Sequence, residues 1–282
     1  MSDFLKSGSL LSWLVIINVG IWILSLLFPL VDYLYALPSG TVKGGWYGWM
    51  ALSSRWHELL VHPWTIVTYM FLHDGLWHVL FNMLMLYFGG TLFCRYLGTR
   101  RFGWVYFLSG VAGAVLYLVV YNLFPVERFQ VSTLVGASAA VLGVFVAVAA
   151  YVPEQDVSFW LIRTFTVKMK WVAVALVVID LLTIPVGNAG GHIAHIGGAL
   201  FGLLYVVAMR RLPNLMSDMS SPRRKKRTSN KQNNSRPLSD EEYNRRRHEE
   251  QKRVDEILDK ISKYGYERLT KEEKEILFKQ SK

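Results

Sequence analysis

The chain has 282 residues, 52% of them hydrophobic, and a formal net charge of +10. Apolar residues gathered into long runs exclude an ordinary soluble domain, and the charge is gathered too, with 21 Lys and Arg against 13 Asp and Glu in residues 210–282. A single cysteine, Cys94, excludes an intramolecular disulfide and any multi-cysteine metal centre.

Six apolar segments, at roughly 9–30, 76–96, 101–123, 134–152, 168–187 and 190–209, each approach the ~20 residues a helix needs to cross hydrocarbon. They predict an all-α, polytopic membrane protein with a six-span core over 1–211, a flexible basic linker over 212–238 and a small cytoplasmic helical hairpin over 239–282. The first segment is too long for a signal h-region and lacks a small-x-small cleavage site, so it reads as a retained anchor. The loop from Val31 to Pro63 holds Trp46, Trp49 and Trp56, amphipathic rings that favour the headgroup layer, and predicts short interfacial helices.

Basic residues set the orientation. Arg95, Arg100 and Arg101 follow the second span, Arg163, Lys168 and Lys170 follow the fourth, and Arg210 and Arg211 follow the sixth. The other side has only Lys43, Arg55 and Arg128, so the positive-inside bias puts both termini in the cytoplasm. Spans two, four and six then begin at the outer face, and each carries polar residues near its start.

In span two, His73-Asp74 reads as a loop-ordering pair, and His78-Val-Leu-Phe-Asn82 sets an imidazole and an amide four apart on one helix face. Both can donate hydrogen bonds to an oxyanion, or serve as polar glue between helices. Span four opens with Gly136-Ala137-Ser138. Serine in a membrane helix commonly packs small-to-small or bonds to its own backbone, but here its Oγ lies at a helix N-terminus that favours an anion. In span five, Asp180 is the only acid well inside a span. It lies about ten residues from either end, which predicts a mid-membrane position below Ser138 and a structural role or a protonated form. Span six carries His192, expected at the aqueous mouth, and then His195, a base able to take the Ser138 proton. Gly198 and Gly202, four apart, clear one face for close approach of another helix, which span four can supply.

Zinc ligation by His73, His78, His192 and His195 is the competing chemistry. No His-Glu-x-x-His is present, no apolar segment offers a carboxylate beside two histidines, and the sequence predicts neither a metal nor another cofactor. In the tail, Arg223, Arg224, Lys225, Lys226 and Arg227 form a polybasic block, either a solvated charge run or an attachment to anionic lipid. Ser239-Asp-Glu-Glu242 and Thr270-Lys-Glu-Glu273 read as capping boxes for two helices.

With His78-x-x-x-Asn82, Gly136-x-Ser138 and Ala194-His195-x-x-Gly198-x-x-x-Gly202 in this order, the chain resembles rhomboid intramembrane serine proteases over about residues 10–209. The resemblance implies a Ser138/His195 dyad without an acid, and an oxyanion hole of His78, Asn82 and the Ser138 backbone amide. It also implies cleavage of transmembrane substrates near their outer ends, entering past spans two and five, with no nucleic-acid partner. The pattern Glu256-Ile-Leu-Asp-Lys-Ile…Lys271-Glu-Glu-Lys-Glu is similar to an accessory segment of some bacterial rhomboids, which implies a bacterial inner membrane. Two positions depart from the family pattern. Trp64-Thr65 stands where Trp-Arg is frequent, and Leu142 stands where an aromatic stacks on the base. The alternatives are a rhomboid-like protein that binds membrane clients without cutting them, which intact Ser138 and His195 oppose, and a channel, which one deep acid does not support.

Overall fold

Ser9 accepts a hydrogen bond from the Ser12 N–H at 3.2 Å and so opens helix α1, Leu10–Ser25. This is a computed structural model of the chain, and it describes residues 9–124, 131–159 and 162–212, with 252, 255–261, 269–270 and 273–274 in the tail. The contacts divide the chain into two units, Met1–Arg223 and Arg224–Lys282.

In the first unit α1 runs on, after a turn, into α2, Phe28–Leu34, where Pro29 occupies the first turn and forfeits only an N–H that a helix start leaves unpaired. The loop beyond holds α3 (Thr41–Met50), α4 (Trp56–Val61) and α5 (Thr65–Thr68), followed by a 3₁₀ turn at Tyr69–Phe71. Buried Asp32 fixes the entry to α3 by accepting from the Gly40 and Val42 N–H groups at 2.8 and 3.0 Å. Next come α6 (Leu76–Leu97) and α7 (Thr99–Leu123), joined at Gly98, whose φ of +89° allows the abrupt reversal. Helices α8 (Ser138–Tyr151), α9 (Met169–Thr183) and α10 (Ala189–Arg211) complete the bundle.

Two short antiparallel pairs join the helices, and hydropathy gave no sign of them. Strand β1 (Leu52–Ser53) pairs with β2 (Thr133–Leu134), and β3 (Asp156–Phe159) pairs with β4 (Ile162–Lys168).

Helix α8 is the centre of the bundle. Every residue from Ala139 to Ala149 is buried, and α6, α7, α9 and α10 all pack on it. A helix apolar on all sides is stable only when surrounded in this way. Leu10–Leu34, Leu76–Leu97, Thr99–Leu123 and Ala189–Arg211 are long and apolar enough to cross a membrane. Their outward side chains, among them Trp13, Phe81, Trp104 and Leu204, are exposed, as lipid-facing residues are. The chain is therefore an integral, multi-pass helical membrane protein.

The fourth and fifth helices are shorter than the segments 134–152 and 168–187. Helix α8 has 14 residues and α9 has 15, about 21–22 Å at 1.5 Å per residue. Extended backbone through β2 and Gly136 uses up the start of the fourth segment. Pro185 stops the fifth, because its ring nitrogen has no N–H to continue the helical hydrogen bonds.

Glycine allows α10 to touch its neighbours backbone to backbone. A Cβ on Gly198 would collide with the Ala139 carbonyl, one on Gly202 with that of Gly143, and one on Gly197 would lie 2.8 Å from the Ala112 carbonyl oxygen. Since backbone cannot yield as a flexible side chain does, Gly198→Val is expected to cost at least about 1–3 kcal/mol. Thermal unfolding in detergent measures this, and an unchanged midpoint would contradict the close contact.

In the second unit, Thr270 and Glu273 cap each other. The Thr270 N–H donates to Glu273 Oε2 at 2.8 Å, and the Glu273 N–H donates to Thr270 Oγ1 at 3.3 Å. Lys260 pairs with Glu273 at 2.7 Å. The polybasic block 223–227 and the capping sequence at 239–242 lie outside the described residues.

Candidate active site

The backbone before Ser138 is held from three directions. The β1–β2 pairing sets Leu134 opposite Leu52, the Tyr117 hydroxyl donates to the Ser132 carbonyl at 2.8 Å, and the Gly136 N–H donates to the Tyr69 carbonyl at 2.9 Å. Gly136 has φ +118°, which L-residues rarely adopt, and a Cβ there would stand 2.7 Å from His78 Nε2 and 3.5 Å from Ser138 Oγ. Glycine is thus required both by backbone conformation and by the imidazole beside it. Ser138 is the first residue of α8, and no side chain caps that helix start, so its first-turn N–H groups remain available to an anion.

Ser138, His195, His78, Asn82 and Asp180 all line one cavity of about 450 Å³. Its apolar walls come from α6, with Trp77, Phe81 and Met85, and from α9, with Leu176 and Ile179. Among the described residues no hydrogen bond joins Ser138 Oγ to His195, and such bonds in ligand-free sites commonly tighten only when substrate arrives.

Two imidazoles have their proton positions set by their neighbours. The Asp74 N–H points to His78 Nδ1 at 3.4 Å, which leaves the His78 proton on Nε2, the atom beside Gly136. His195 has the opposite arrangement. Its Nδ1 lies 2.8 Å from Asp180 Oδ1, so the proton sits on Nδ1 and Nε2 is left as the acceptor. Asn82 is buried and donates one Nδ2 hydrogen to the His78 carbonyl at 2.8 Å, leaving the second hydrogen of the amide.

Asp180 does not lie below Ser138 at mid-membrane. Because α9 ends at Thr183, this acid is in its last turn, level with the start of α10. Oδ1 accepts from His195 and also from His192 Nδ1, at 2.7 Å. No apolar segment carries a carboxylate beside two histidines, yet the packing of α9 on α10 supplies one in space. The sequence signal that locates Asp180 was present in Ile184-Pro185 followed by Gly187-Asn188, a helix stop and then a helix start. Asn188 is that start, an αL residue (φ +50°) whose side chain accepts from the Gly191 N–H at 3.3 Å. His192 is not among the cavity-lining residues, whereas His195 is.

His73 and Asp74 order the entrance. Lys43 pairs with Asp74 at 3.4 Å, and the Tyr47 hydroxyl donates to the His73 carbonyl at 3.3 Å. The His73 ring packs edge-on against His78, with centroids 4.9 Å apart. Burial, and then the neighbouring His78, hold its pKa down to about 4 from the ordinary 6.5, so it is neutral at pH 7. In the window between those values the unfolded chain binds the proton and the folded one does not. Stability contributed here is therefore lost as pH falls from about 6.5 to about 4. His73→Gln should flatten that part of the unfolding-temperature profile, and an unchanged profile would contradict the burial of this ring.

A profile of the rhomboid domain matches residues 61–212, and a family of unknown function matches residues 239–282. The chain is similar to the presenilin-associated rhomboid-like protein, mitochondrial, of Homo sapiens, with 30% identity over 150 residues, 53% of this chain and 38% of that one. The Rattus norvegicus counterpart is 29% identical over the same shares. RHOMBOID-like protein 1 of Arabidopsis thaliana is 29% identical over 59% of this chain and 41% of its own. The match thus spans less than half the length of these relatives. The domain match covers more than half of this chain, including every residue of the cavity described above, and the chain belongs to the rhomboid family.

Proposed function

We propose that the chain is an intramembrane serine endopeptidase that cleaves transmembrane segments of other proteins near their outer ends. The observation that carries the reading is a shared cavity in which Ser138 opens a helix N-terminus and His195 has Nδ1 committed to Asp180. Ser138 Oγ attacks the scissile carbonyl carbon while His195 Nε2 takes its proton. The carbonyl oxygen becomes an oxyanion that accepts from the Ser138 N–H, from His78 Nε2–H and from the free Asn82 Nδ2 hydrogen. The tetrahedral intermediate collapses, the C–N bond breaks, and His195 returns the proton to the departing amine. Water then enters by the same proton route, releases the acid product and restores Ser138.

Asp180 acts through His195 as a positioning residue. By holding the proton on Nδ1 it keeps Nε2 basic, and it steadies the imidazolium that forms. This replaces the dyad without an acid that the family resemblance implied. It also supplies a clamp on the ring where Leu142 offers no aromatic face. The apolar walls of α6 and α9 suit an apolar segment arriving from lipid.

The same reading keeps both termini on the cytoplasmic side, with the core ending near 211, a basic linker to 238 and a tail hairpin after it. Attraction of Arg223–Arg227 to anionic lipid follows from charge alone. A bacterial inner membrane gains no support from relatives with mitochondrial and plant names. The test is to incubate the purified full chain in detergent with a transmembrane peptide carrying a helix-breaking residue and to locate any cut by mass spectrometry. The reading predicts one cut toward the outer end of the peptide. An intact peptide, or a cut by the Ser138→Ala variant, rejects it.

A further inference from the structure

We propose that Asp180, His192 and His195 form a three-ligand site for a borderline divalent cation of the zinc class, and that filling it stops hydrolysis by removing the base. The binding half stands on geometry alone; the inhibition half rests on the peptidase reading above.

One carboxylate and two imidazoles are a ligand set that zinc takes in sites with an open fourth position. Here one ligand atom from each of Asp180, His192 and His195 lies within 4.8 Å of the other two. The two histidines are three apart on α10, and the acid sits in the last turn of α9, so the ligands come from two helices that pack together. Asp180 Oδ1 stands 2.7 Å from His192 and 2.8 Å from His195. A tetrahedral ion with bonds of ~2.0–2.1 Å holds its ligands roughly 3.3 Å apart, so the two acid–imidazole pairs need open by only about half an ångström.

The surroundings favour an incoming cation. The side chains of Asp180, His192 and His195 keep 11%, 20% and 21% exposure, enough for entry from the cavity. No lysine or arginine is among the described residues lining that cavity. The other polar groups beside the cluster are neutral. The Thr183 hydroxyl lies 3.3 Å from His192 Nδ1, and Asn188 lies at the start of α10.

The chemistry of inhibition follows from which nitrogen is taken. As the cation takes Nδ1, the proton of each neutral imidazole passes to Nε2 through solvent, and added acid competes for the same ligands, so affinity falls with acidity. A neutral imidazole metallated at Nδ1 carries its one remaining proton on Nε2. His195 then offers a donor to Ser138 where an acceptor is needed, and the Ser138 proton has nowhere to go. The carboxylate that kept Nε2 basic is occupied by the same ion.

The test uses the purified full chain, stripped with chelator and titrated with zinc or cobalt. Cobalt should give the intense visible absorption of a tetrahedral site at one ion per chain. Zinc should lower peptide cleavage at least tenfold, and chelator should restore it. His192→Ala removes one ligand outside the catalytic cavity, so basal cleavage should stay within about twofold while cation affinity falls at least about 10–100-fold. Absence of the cobalt spectrum, or a spectrum and inhibition unchanged in His192→Ala, overturns the site. A protein that binds cobalt with loss in His192→Ala yet never cleaves peptide supports the site and rejects the peptidase reading instead.

Discussion

Ser138→Ala is expected to reduce cleavage to the uncatalysed background, a loss on the order of 10⁵–10⁶-fold in kcat, because the atom that forms the acyl bond is gone. The change removes one oxygen from the first residue of α8 and leaves the helix start, the Gly136 turn and the β1–β2 pairing in place. Fold stability should therefore hold, and substrate should still bind in the cavity walls of Trp77, Phe81, Leu176 and Ile179. Peptide capture by the inactive variant, at an affinity near that of the parent, separates lost chemistry from lost structure. Residual turnover within tenfold of the parent would mean that another residue is the nucleophile.

Asp180→Asn is the second large effect. The amide keeps the size of the side chain but can offer an N–H where Oδ1 accepted from His195 Nδ1 at 2.8 Å. The imidazole then turns its proton to Nε2 and ceases to be a base. A fall in kcat of about 10²–10⁴-fold is expected, with KM little changed and the unfolding temperature nearly that of the parent. Loss of a purely structural contact would instead lower the unfolding temperature and leave kcat within a few-fold. Because His192 competes for the same oxygen at 2.7 Å, His192→Ala leaves Asp180 wholly to His195 and should not reproduce the loss.

The membrane bundle was legible because lipid imposes a length and an apolarity that a single segment displays by itself. The neighbourhood of Ser138, His195, His78 and Asn82 was legible for a related reason: three alternate spans begin at one face, and each starts with its polar residue. Asp180 was misplaced because its depth was counted from a segment carried through Pro185, and its two histidine contacts belong to the packing of α9 on α10, which no one segment reveals. The β1–β2 pair was equally hidden. It joins Leu52 to Leu134 across four helices, α4 to α7, and two-residue strands have no periodicity to detect. Gly198 and Gly202 announced a close approach, but only coordinates name Ala139 and Gly143 as the backbone they meet.

In the mechanism proposed above, Ser138 is a nucleophile activated by His195. A fluorophosphonate probe tests it without any knowledge of the natural substrate. A covalent adduct is expected on Ser138, found by peptide mapping, that disappears in His195→Ala and is strongly slowed in Asp180→Asn. An adduct on another residue, or labelling of Ser138 that persists unchanged in His195→Ala, would contradict it.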